Sequence, residues 1–330
     1  MKSDRFTIKI NGIVLFIVAA IIVVATVFIT FKFADKVFYS KATVSDSRSV
    51  VFDGDDTSKE KIAKFNDILR YVKENYYYAY DENAIIEGAI DGAMNALNDK
   101  YSQYYKPGTM SDYNDYVDGI DQTGENVQTV FTTDYTGKIK YIRISQFGNG
   151  TGDEFKEVIS TVMTEGSKGI IIDLRDNPGG IETAATTVAD IILPEGTIAT
   201  AKDKDGNTAK TILSEKTEID LPFVVLVNGK TASASELLAA ALQDFEKATL
   251  VGTQTYGKAV GQKRHTYDYD DSGIKLTVWK YFTPSGDSID GIGITPDHII
   301  EATSDKPVAE LTYEEDPQLQ KALEIIRTAP

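Results

Sequence analysis

The stretch Gly169-Ile-Ile-Ile-Asp-Leu-Arg-Asp-Asn-Pro-Gly-Gly180 decides the fold of this chain. It opens with a short apolar run, which is typical of a strand buried on both faces of a sheet. A second such run is Phe223–Val227, and a shorter one follows at Ala248–Val251. The helical segments that separate and flank these strands are 155–163, 184–192 and 234–245. This alternation predicts an α/β fold with a mostly parallel sheet and helices packed on its faces.

The composition excludes several classes of function. The chain has 330 residues, of which 42% are hydrophobic and 25% are charged, and its net charge is −16. An acidic chain repels phosphates, so we expect no nucleic-acid partner. Cysteine is absent and the only histidines are His265 and His298. A thiol nucleophile and a metal site built from several Cys or His are therefore not expected, and neither a metal nor a cofactor is predicted.

The N-terminal segment 10–31 predicts a location. Its 22 residues carry no charge, and at ~1.5 Å per residue they span about 33 Å, enough to cross a bilayer core. Flanking charges favour a cytoplasmic N-terminus. We therefore expect a single-pass anchor in the cell membrane, with residues 32–330 extracytoplasmic. A cleaved signal peptide is the alternative, but its cleavage motif is poor.

The rest of the chain divides by composition and periodicity. A small N-terminal helical unit, 59–118, is predicted from apolar residues at helical spacing. The predicted segments are a cytoplasmic tail 1–9, the anchor 10–31, a juxtamembrane linker 32–58, the helical unit 59–118, a short linker 119–137 and a core 138–330 with an acidic, helical C-terminal end. The apolar faces of the helical unit are compatible with a homodimer.

Two strand ends carry residue types suited to catalysis. Gly179 and Gly180 follow a buried strand, and backbone N–H groups without side chains suit an anion or an oxyanion. The competing interpretation is a tight turn. Ser233 follows the next buried strand, near the N-terminus of a helix, where free N–H groups favour a nucleophile. The competing interpretation is that Ser233 or Ser235 only caps the helix.

A serine nucleophile needs a base. His265 lies in a strand-like run and His298 stands beside two apolar residues, so both are more typical of surface or structural histidines. Lys258 follows a short strand and a turn with two glycines. Its pKa would have to be lowered by burial or by nearby positive charge before it could accept a proton. An ordinary solvated lysine is the competing interpretation.

Several further motifs accompany these residues in a fixed order. They are Tyr141-Ile-Arg-Ile-Ser-Gln-Phe147, Ile172-Asp-Leu-Arg-Asp-Asn-Pro-Gly-Gly180, Asn228-Gly-Lys-Thr-Ala-Ser-Ala-Ser-Glu-Leu-Leu238, Gly252-Thr-Gln-Thr-Tyr-Gly-Lys258, Tyr281-Phe-Thr-Pro-Ser-Gly286, Gly291-Ile-Gly-Ile-Thr-Pro-Asp297 and Asp316-Pro-Gln-Leu319. With them, the chain resembles the C-terminal processing peptidases, or tail-specific proteases, over about residues 138–326. The resemblance implies a serine endopeptidase with a Ser/Lys dyad on a crotonase-like, ClpP-like α/β core.

The resemblance also implies a role for each matching residue. Ser233 matches the nucleophile, Lys258 the general base and Gln262 the polar residue that orients the lysine amine. The backbone N–H groups of Ala234 and Gly179 match the oxyanion hole, with Gly180 as the alternative to Gly179. The implied reaction proceeds through an acyl-enzyme on protein or peptide substrates. Ser235 is the alternative nucleophile, although the spacing to the lysine disfavours it.

Two departures from the family pattern affect this interpretation. Ala259 stands where the family usually has glycine after the lysine, and its methyl group would be strained if that position needed a positive φ. The family also usually carries a PDZ domain of about 90 residues before the core, and residues 119–137 are too few for one. The sequence leaves open whether this absence is natural. We therefore expect that selectivity for protein tails is weak or lies elsewhere, without a PDZ switch.

Two other functions were weighed against the protease. A catalytically silent peptide-binding or assembly module would keep the fold, but it would not need Ser233, Lys258 and Gln262 together. A soluble crotonase-type acyl-CoA enzyme shares the fold, but it fits poorly with a membrane anchor and a Ser/Lys pair. The membrane-anchored serine endopeptidase is the predicted function.

Overall fold

The computed structural model describes residues 56–215 and 219–329. The described chain divides into two compact units, one ending at Tyr80 and one beginning at Asp81. The predicted tail 1–9 and anchor 10–31, like most of the linker 32–58, lie outside the described residues. Within the described ranges, no helix is long and apolar enough to cross a membrane.

Helices and strands alternate through the second unit as the sequence predicts. The α-helices are α1 (Asp56–Asn75), α2 (Glu82–Asn95), α3 (Met110–Asp118), α4 (Thr151–Glu165), α5 (Glu182–Ile192), α6 (Ala234–Asp244) and α7 (Pro317–Thr328). The strands are β1 (Gln103–Tyr105), β2 (Val130–Tyr135), β3 (Ile139–Ile144), β4 (Gly169–Asp173), β5 (Gly196–Lys202), β6 (Thr208–Ser214), β7 (Phe223–Val227), β8 (Ala248–Gly252), β9 (Val260–Tyr267), β10 (Ser272–Phe282) and β11 (His298–Ile299).

The first unit contributes α1 and the tyrosines that follow it. Phe65, Ile68 and Tyr71 of α1 are exposed. Their spacing of three residues places them on one face of the helix. After the helix, the rings of Tyr76 and Tyr78 meet edge to face, with their centroids 5.9 Å apart.

A six-stranded sheet forms the centre of the second unit. Its strand order is β11-β8-β7-β4-β3-β2, and every pairing is parallel except the antiparallel pair of β2 with β3. This arrangement confirms the mostly parallel sheet. All five residues of β4 and all five of β7 are buried, as expected for strands covered on both faces.

The two faces of this sheet pack against different helices. Side chains such as Ile170 and Ile172 face the main core, together with residues of α4, α5 and α6. Ile171 points to the opposite face and packs in a smaller cluster with Leu319 and Leu323 of α7. The alternation follows the two-residue period of a strand.

A second, antiparallel sheet extends the fold beyond the sequence prediction. Its order is β1-β10-β5-β6, with β9 paired to the other side of β10. The predicted hairpin near His265 is confirmed as β9 and β10, but β1, β5 and β6 were not predicted. Strand β1 lies inside the interval 59–118 that the sequence assigns to a helical unit, and it pairs with β10. The domain boundaries themselves stay predictions.

Candidate active site

Three neighbouring parallel strands bring the candidate residues to one edge of the sheet. Strands β4, β7 and β8 are adjacent, so the loops that follow them meet beyond their carboxyl ends. A pocket of about 360 Å³ lies at this edge. All six residues predicted for the site line it, namely Ser233, Lys258, Gln262, Ala234, Gly179 and Gly180.

Asn177 fastens the loop that follows β4. Its side chain is fully buried and donates from Nδ2 to the carbonyl of Ile144 at 2.8 Å. Its Oδ1 accepts a hydrogen bond from the backbone N–H of Gly179 at 2.9 Å. Its own carbonyl accepts from the N–H of Ala232 at 3.1 Å, in the loop after β7. Asn177 thereby joins β3 and two of the loops that line the pocket.

These contacts refine the predicted oxyanion hole. The N–H of Gly179 already has a partner, whereas the N–H groups of Ala234 and Gly180 have none among the described residues. Gly180 forms a parallel bridge with Phe147, and this geometry turns its own N–H away from Phe147. Ala234 and Gly180 are therefore the better pair of donors for an oxyanion.

Gly179 must be glycine for a steric reason. Its φ is +97°, and a Cβ there would lie 2.6 Å from the carbonyl oxygen of Ala232 and 2.9 Å from the nitrogen of Ala234. Any side chain would thus push the loop away from the residues next to Ser233. The close approach of the two loops depends on the missing Cβ.

Ser233 has an unusual backbone at the start of α6. Its φ is 59° and its ψ is −117°, a sparsely populated region for any residue with a side chain. Ser233 is half-buried and lines the pocket. Ser235 is fully buried, and its hydroxyl donates to the carbonyl of Asn177 at 3.2 Å. The structure therefore favours Ser233 over Ser235 as the residue that can meet a substrate.

Glu236 connects the serine and lysine loops. Its buried carboxylate accepts from the backbone N–H groups of Ser233 and Lys258 at 2.9 and 2.8 Å. It also accepts from the hydroxyl of Thr255 at 2.6 Å and from the N–H of Gly257 at 2.7 Å. One charged side chain therefore fixes the backbone at both predicted catalytic residues.

Lys258 lies in surroundings that favour its neutral form. Burial is the main cause that lowers the pKa of its amine, and the nearby charge of Lys275 lowers that pKa further. The carboxylates of Glu236 and Asp99 act in the opposite direction. Its Nζ lies 5.1 Å from the centre of the Tyr101 ring, and within the described chain it has no ion pair. A lysine with a lowered pKa can serve as a general base.

The structure gives less support to the other residues considered in the sequence analysis. Gln262 lines the pocket, but its carboxamide nitrogen contacts the carbonyl of Val260 and the hydroxyl of Thr277, each at 3.4 Å. No hydrogen bond joins it to Lys258 among the described residues, so its orienting role stays a prediction. His265 and His298 are exposed and do not line the pocket.

The methyl group of Ala259 is accommodated without backbone strain. Ala259 is buried, and it is not among the described residues with a positive φ. A glycine is therefore not required at this position, and the departure from the family pattern does not disturb the loop that carries Lys258.

A buried ionic cluster connects the loop after β4 to the start of α7. The guanidinium of Arg175 is 2% exposed and contacts the carboxylates of Asp173 and Asp316 at 2.6 and 2.7 Å. It also donates to the side chain of Gln318 at 2.9 Å, and Tyr141 donates to Asp173 at 2.7 Å. The start of α7 is thereby tied to the segment that leads into Asn177 and the two glycines.

Sequence reasoning missed the supporting residues of the site. In the sequence, Asn177 and Glu236 stand out only as members of the motifs 172–180 and 228–238. The signal that was present for Glu236 is its position three residues after the serine, where a carboxylate reaches back to the N-cap backbone. For Asn177 the sequence offers no comparable signal.

Comparison with known proteins agrees with the geometry. The model of peptidase family S41 matches residues 138–300, and the model of the activating protease CtpB N-terminal domain matches residues 20–109. A carboxyl-terminal-processing protease of Synechocystis is 40% identical over 57% of this chain and 44% of its own length. A carboxy-terminal-processing protease of Bartonella bacilliformis is 28% identical, over 82% of each chain.

A solved structure supports the fold alone. A lipoprotein from Streptococcus agalactiae superposes with a TM-score of 0.59 at 18% identity, over 76% of this chain and 84% of that one. This chain spans 44% of the length of the Synechocystis protease.

The relatives confirm the predicted class of enzyme, a serine peptidase of the carboxy-terminal-processing type. The match to the model of peptidase family S41 covers 163 of the 330 residues of this chain.

Proposed function

We propose that this chain is a membrane-anchored endopeptidase that cleaves extracytoplasmic proteins near their C-termini with Ser233 as nucleophile and Lys258 as base. The observation that carries the proposal is the convergence of all the predicted site residues on one pocket. The lowered pKa of Lys258, caused mainly by burial, supports the role of base. The apolar segment 10–31 is the proposed anchor. A homodimer is proposed as well.

The proposed reaction uses only groups of the protein and the substrate. Neutral Lys258 accepts the proton of the Ser233 hydroxyl, and the oxygen attacks the scissile carbonyl carbon. The N–H groups of Ala234 and Gly180 stabilise the oxyanion that forms. Lys258 then gives its proton to the leaving amine, which leaves an acyl-enzyme. Water hydrolyses that ester by the same proton transfers.

The silent binding module is the weaker alternative. Two features of the sequence support it, the short interval 119–137 in place of a PDZ domain and the replacement of glycine by Ala259. The second support is weakened because Ala259 is unstrained. A module that only binds peptides would have no use for a half-buried lysine in the same pocket as a serine with a strained backbone.

The test uses the full chain in detergent micelles with a loosely folded protein as substrate. Fragments are followed by mass spectrometry for the unmodified chain, Ser233→Ala, Lys258→Ala and the control Ser235→Ala. We expect cleavage by the unmodified chain and by Ser235→Ala only. Equal cleavage by all four would exclude the dyad, and cleavage by none would favour the binding module. The fragment ends show whether the cuts lie near C-termini.

A further inference from the structure

The pocket is cationic although the chain is acidic. Its lining holds four cationic side chains, Lys210, Lys258, Arg264 and Lys275, and one acidic side chain, Glu182, in a chain of net charge −16. Such a local reversal of charge attracts anionic groups to the site.

Two of these cations already have anionic partners. Lys210 is paired with Glu182 at 2.5 Å and Arg264 with Asp118 at 2.7 Å. Lys258 is the proposed base and needs no anion. Lys275 has no ion pair in the part of the chain that the structure describes. Among the four basic side chains of the lining, it therefore has neither an anionic partner nor a proposed catalytic role.

The structure holds Lys275 in place without neutralising it. On β10 it lies directly opposite Arg264 of β9, and two like charges in such a cross-strand pair are unfavourable. Its Nζ lies 4.9 Å from the centre of the Tyr113 ring and 5.8 Å from that of Tyr105. These two rings stack on each other, with their centres 4.4 Å apart. The aromatic faces support the amine, and its N–H donors stay available.

The position of Lys275 relates it to the site of cleavage. The next pair on the same face is Thr277 with Gln262, and two residues along a strand correspond to about 7 Å. Gln262 also lines the pocket that holds Ser233 and Lys258. A group bound by Lys275 would therefore lie a few residues of extended peptide from the bond that is cut.

We propose that Lys275 binds a carboxylate of the substrate within the catalytic pocket, and so selects where the peptide is cut. This inference rests on the proposed function. The carboxylate can come from the C-terminus of the substrate or from an Asp or Glu side chain. In a chain without room for a PDZ domain between residues 119 and 137, this contact would supply selectivity for tails.

The test compares three peptides built on a cleavage site mapped in the protein digest and ending three residues after the cut. One has a free C-terminal carboxylate, the second a C-terminal amide, and the third the amide with Asp as its last residue. The full chain is assayed as unmodified protein, Lys275→Gln, Lys275→Arg and the control Lys280→Gln. Lys280 lies on the same strand, is paired with Asp290 at 2.9 Å, and does not line the pocket.

The measured quantity is the ratio of kcat/KM for the acid to that for the amide. Because both substrates meet the same variant, a change in the pKa of Lys258 cancels in the ratio. We expect a ratio of about tenfold in the unmodified chain, about one in Lys275→Gln, and the original ratio in Lys275→Arg and Lys280→Gln. If the Asp peptide also has a higher kcat/KM than the plain amide, and this difference is lost in Lys275→Gln, then Lys275 binds carboxylates from either source.

The inference would be overturned if the unmodified chain cut all three peptides with equal kcat/KM. It would also be overturned if the ratio of acid to amide were unchanged in Lys275→Gln. If Lys275→Gln is inactive, binding of labelled acid and amide peptides is measured in Ser233→Ala with and without Lys275→Gln, and melting curves establish that each variant is folded. Equal binding of both peptides to Ser233→Ala would again overturn it. Undiminished cleavage by Ser233→Ala would instead refute the proposed dyad.

Discussion

The replacement Glu236→Gln tests whether one carboxylate holds the serine and lysine loops together. The carboxylate accepts four hydrogen bonds, two on each oxygen. An amide of the same size keeps one acceptor oxygen, and its NH₂ group then faces at least one backbone N–H donor whichever way it is placed. The best placement turns the NH₂ toward Thr255 and Gly257, which loses the bond from Gly257 and forces the hydroxyl of Thr255 to reorient.

Each lost hydrogen bond to a charged group costs about 1.5–3 kcal/mol. We therefore expect Glu236→Gln to lose about 3 kcal/mol of unfolding free energy, which lowers Tm by roughly 6–12 °C in a domain of this size. The backbone at Ser233 and Lys258 would shift as well, and a misplacement of about 1 Å lowers catalysis by on the order of a hundredfold. The loss should fall on kcat more than on KM, because the variant leaves the pocket walls intact.

The pH profile separates this role from a purely structural one. The proposed mechanism requires neutral Lys258, so activity is expected to rise as pH increases through the pKa of that amine. Burial is the main cause that lowers this pKa, and the Glu236 charge opposes it. Removing the charge therefore moves the acid limb of kcat/KM to lower pH, even though the rate falls. The exposed control Glu157→Gln should behave like the unmodified chain. Unchanged Tm and kcat/KM in Glu236→Gln would refute the reasoning.

Three further replacements follow from the same structure. Burial and the Lys275 charge lower the pKa of Lys258 below its ordinary value of 10.5, so between the two values the unfolded chain binds more protons and stability rises with pH. Lys258→Met should be inactive yet melt higher at pH 7, with a gap that narrows toward pH 10.5; a lower Tm at pH 7 would contradict this. Gly179→Ala places a Cβ 2.6 Å from a carbonyl oxygen and should lower kcat by on the order of 10²–10³, whereas Gly88→Ala, with nothing within 4 Å, should leave kcat unchanged. Asp316→Ala leaves the Arg175 guanidinium buried beside a single carboxylate and should cost about 3–5 kcal/mol in urea unfolding, and a cost below about 1 kcal/mol would show that the cluster is not needed.

The central sheet and the position of the site could be predicted because their signals are local. Strands β4 and β7 are runs of Ile and Val, and runs of this kind need only their own residues to be recognised. The turn Asn177-Pro-Gly-Gly180 and the small residues before α6 follow those strands directly. Once the strands are parallel neighbours, their carboxyl ends must meet. The strand order therefore places the loops of Gly180, Ser233 and Lys258 at one edge, whereas the assignment of these residues to one site came from the resemblance to the C-terminal processing peptidases.

The second sheet and the supporting contacts depend on residues far apart in sequence. Strand β6 is mostly exposed, and β1 has only three residues, so neither carries a clear two-residue period. The pairing of Lys275 with Arg264 is set by the register of β9 on β10, which a hairpin motif does not specify. Loop geometry likewise decides which N–H group Asn177 occupies. The sequence therefore favoured Gly179 as the oxyanion donor, with Gly180 as the alternative, whereas the structure favours Gly180.

The network around Ser233 explains how its strained backbone is maintained. A residue at φ 59° and ψ −117° keeps that conformation only if its surroundings fix it. Here the carboxylate of Glu236 fixes its nitrogen, and Asn177 fixes Ala232 just before it. Glu236 and Asn177 are both fully buried, so these hydrogen bonds, one to a carboxylate and one to a backbone carbonyl, do not compete with water. The backbone geometry of the proposed nucleophile is thus set before a substrate arrives, as electrostatic catalysis requires.

Lys275 differs from this network because no anionic group in the described chain is paired with it. Asn177 and Glu236 already have hydrogen-bond partners inside the protein. A carboxylate arriving at Lys275 would both gain a partner and relieve the repulsion from Arg264. The pocket therefore combines a rigid part, which sets the geometry of the reaction, with an unsatisfied cation whose energy depends on the substrate. We therefore expect substrate selectivity to depend on Lys275. Its replacement should change which peptides are cut more than how the bond is broken.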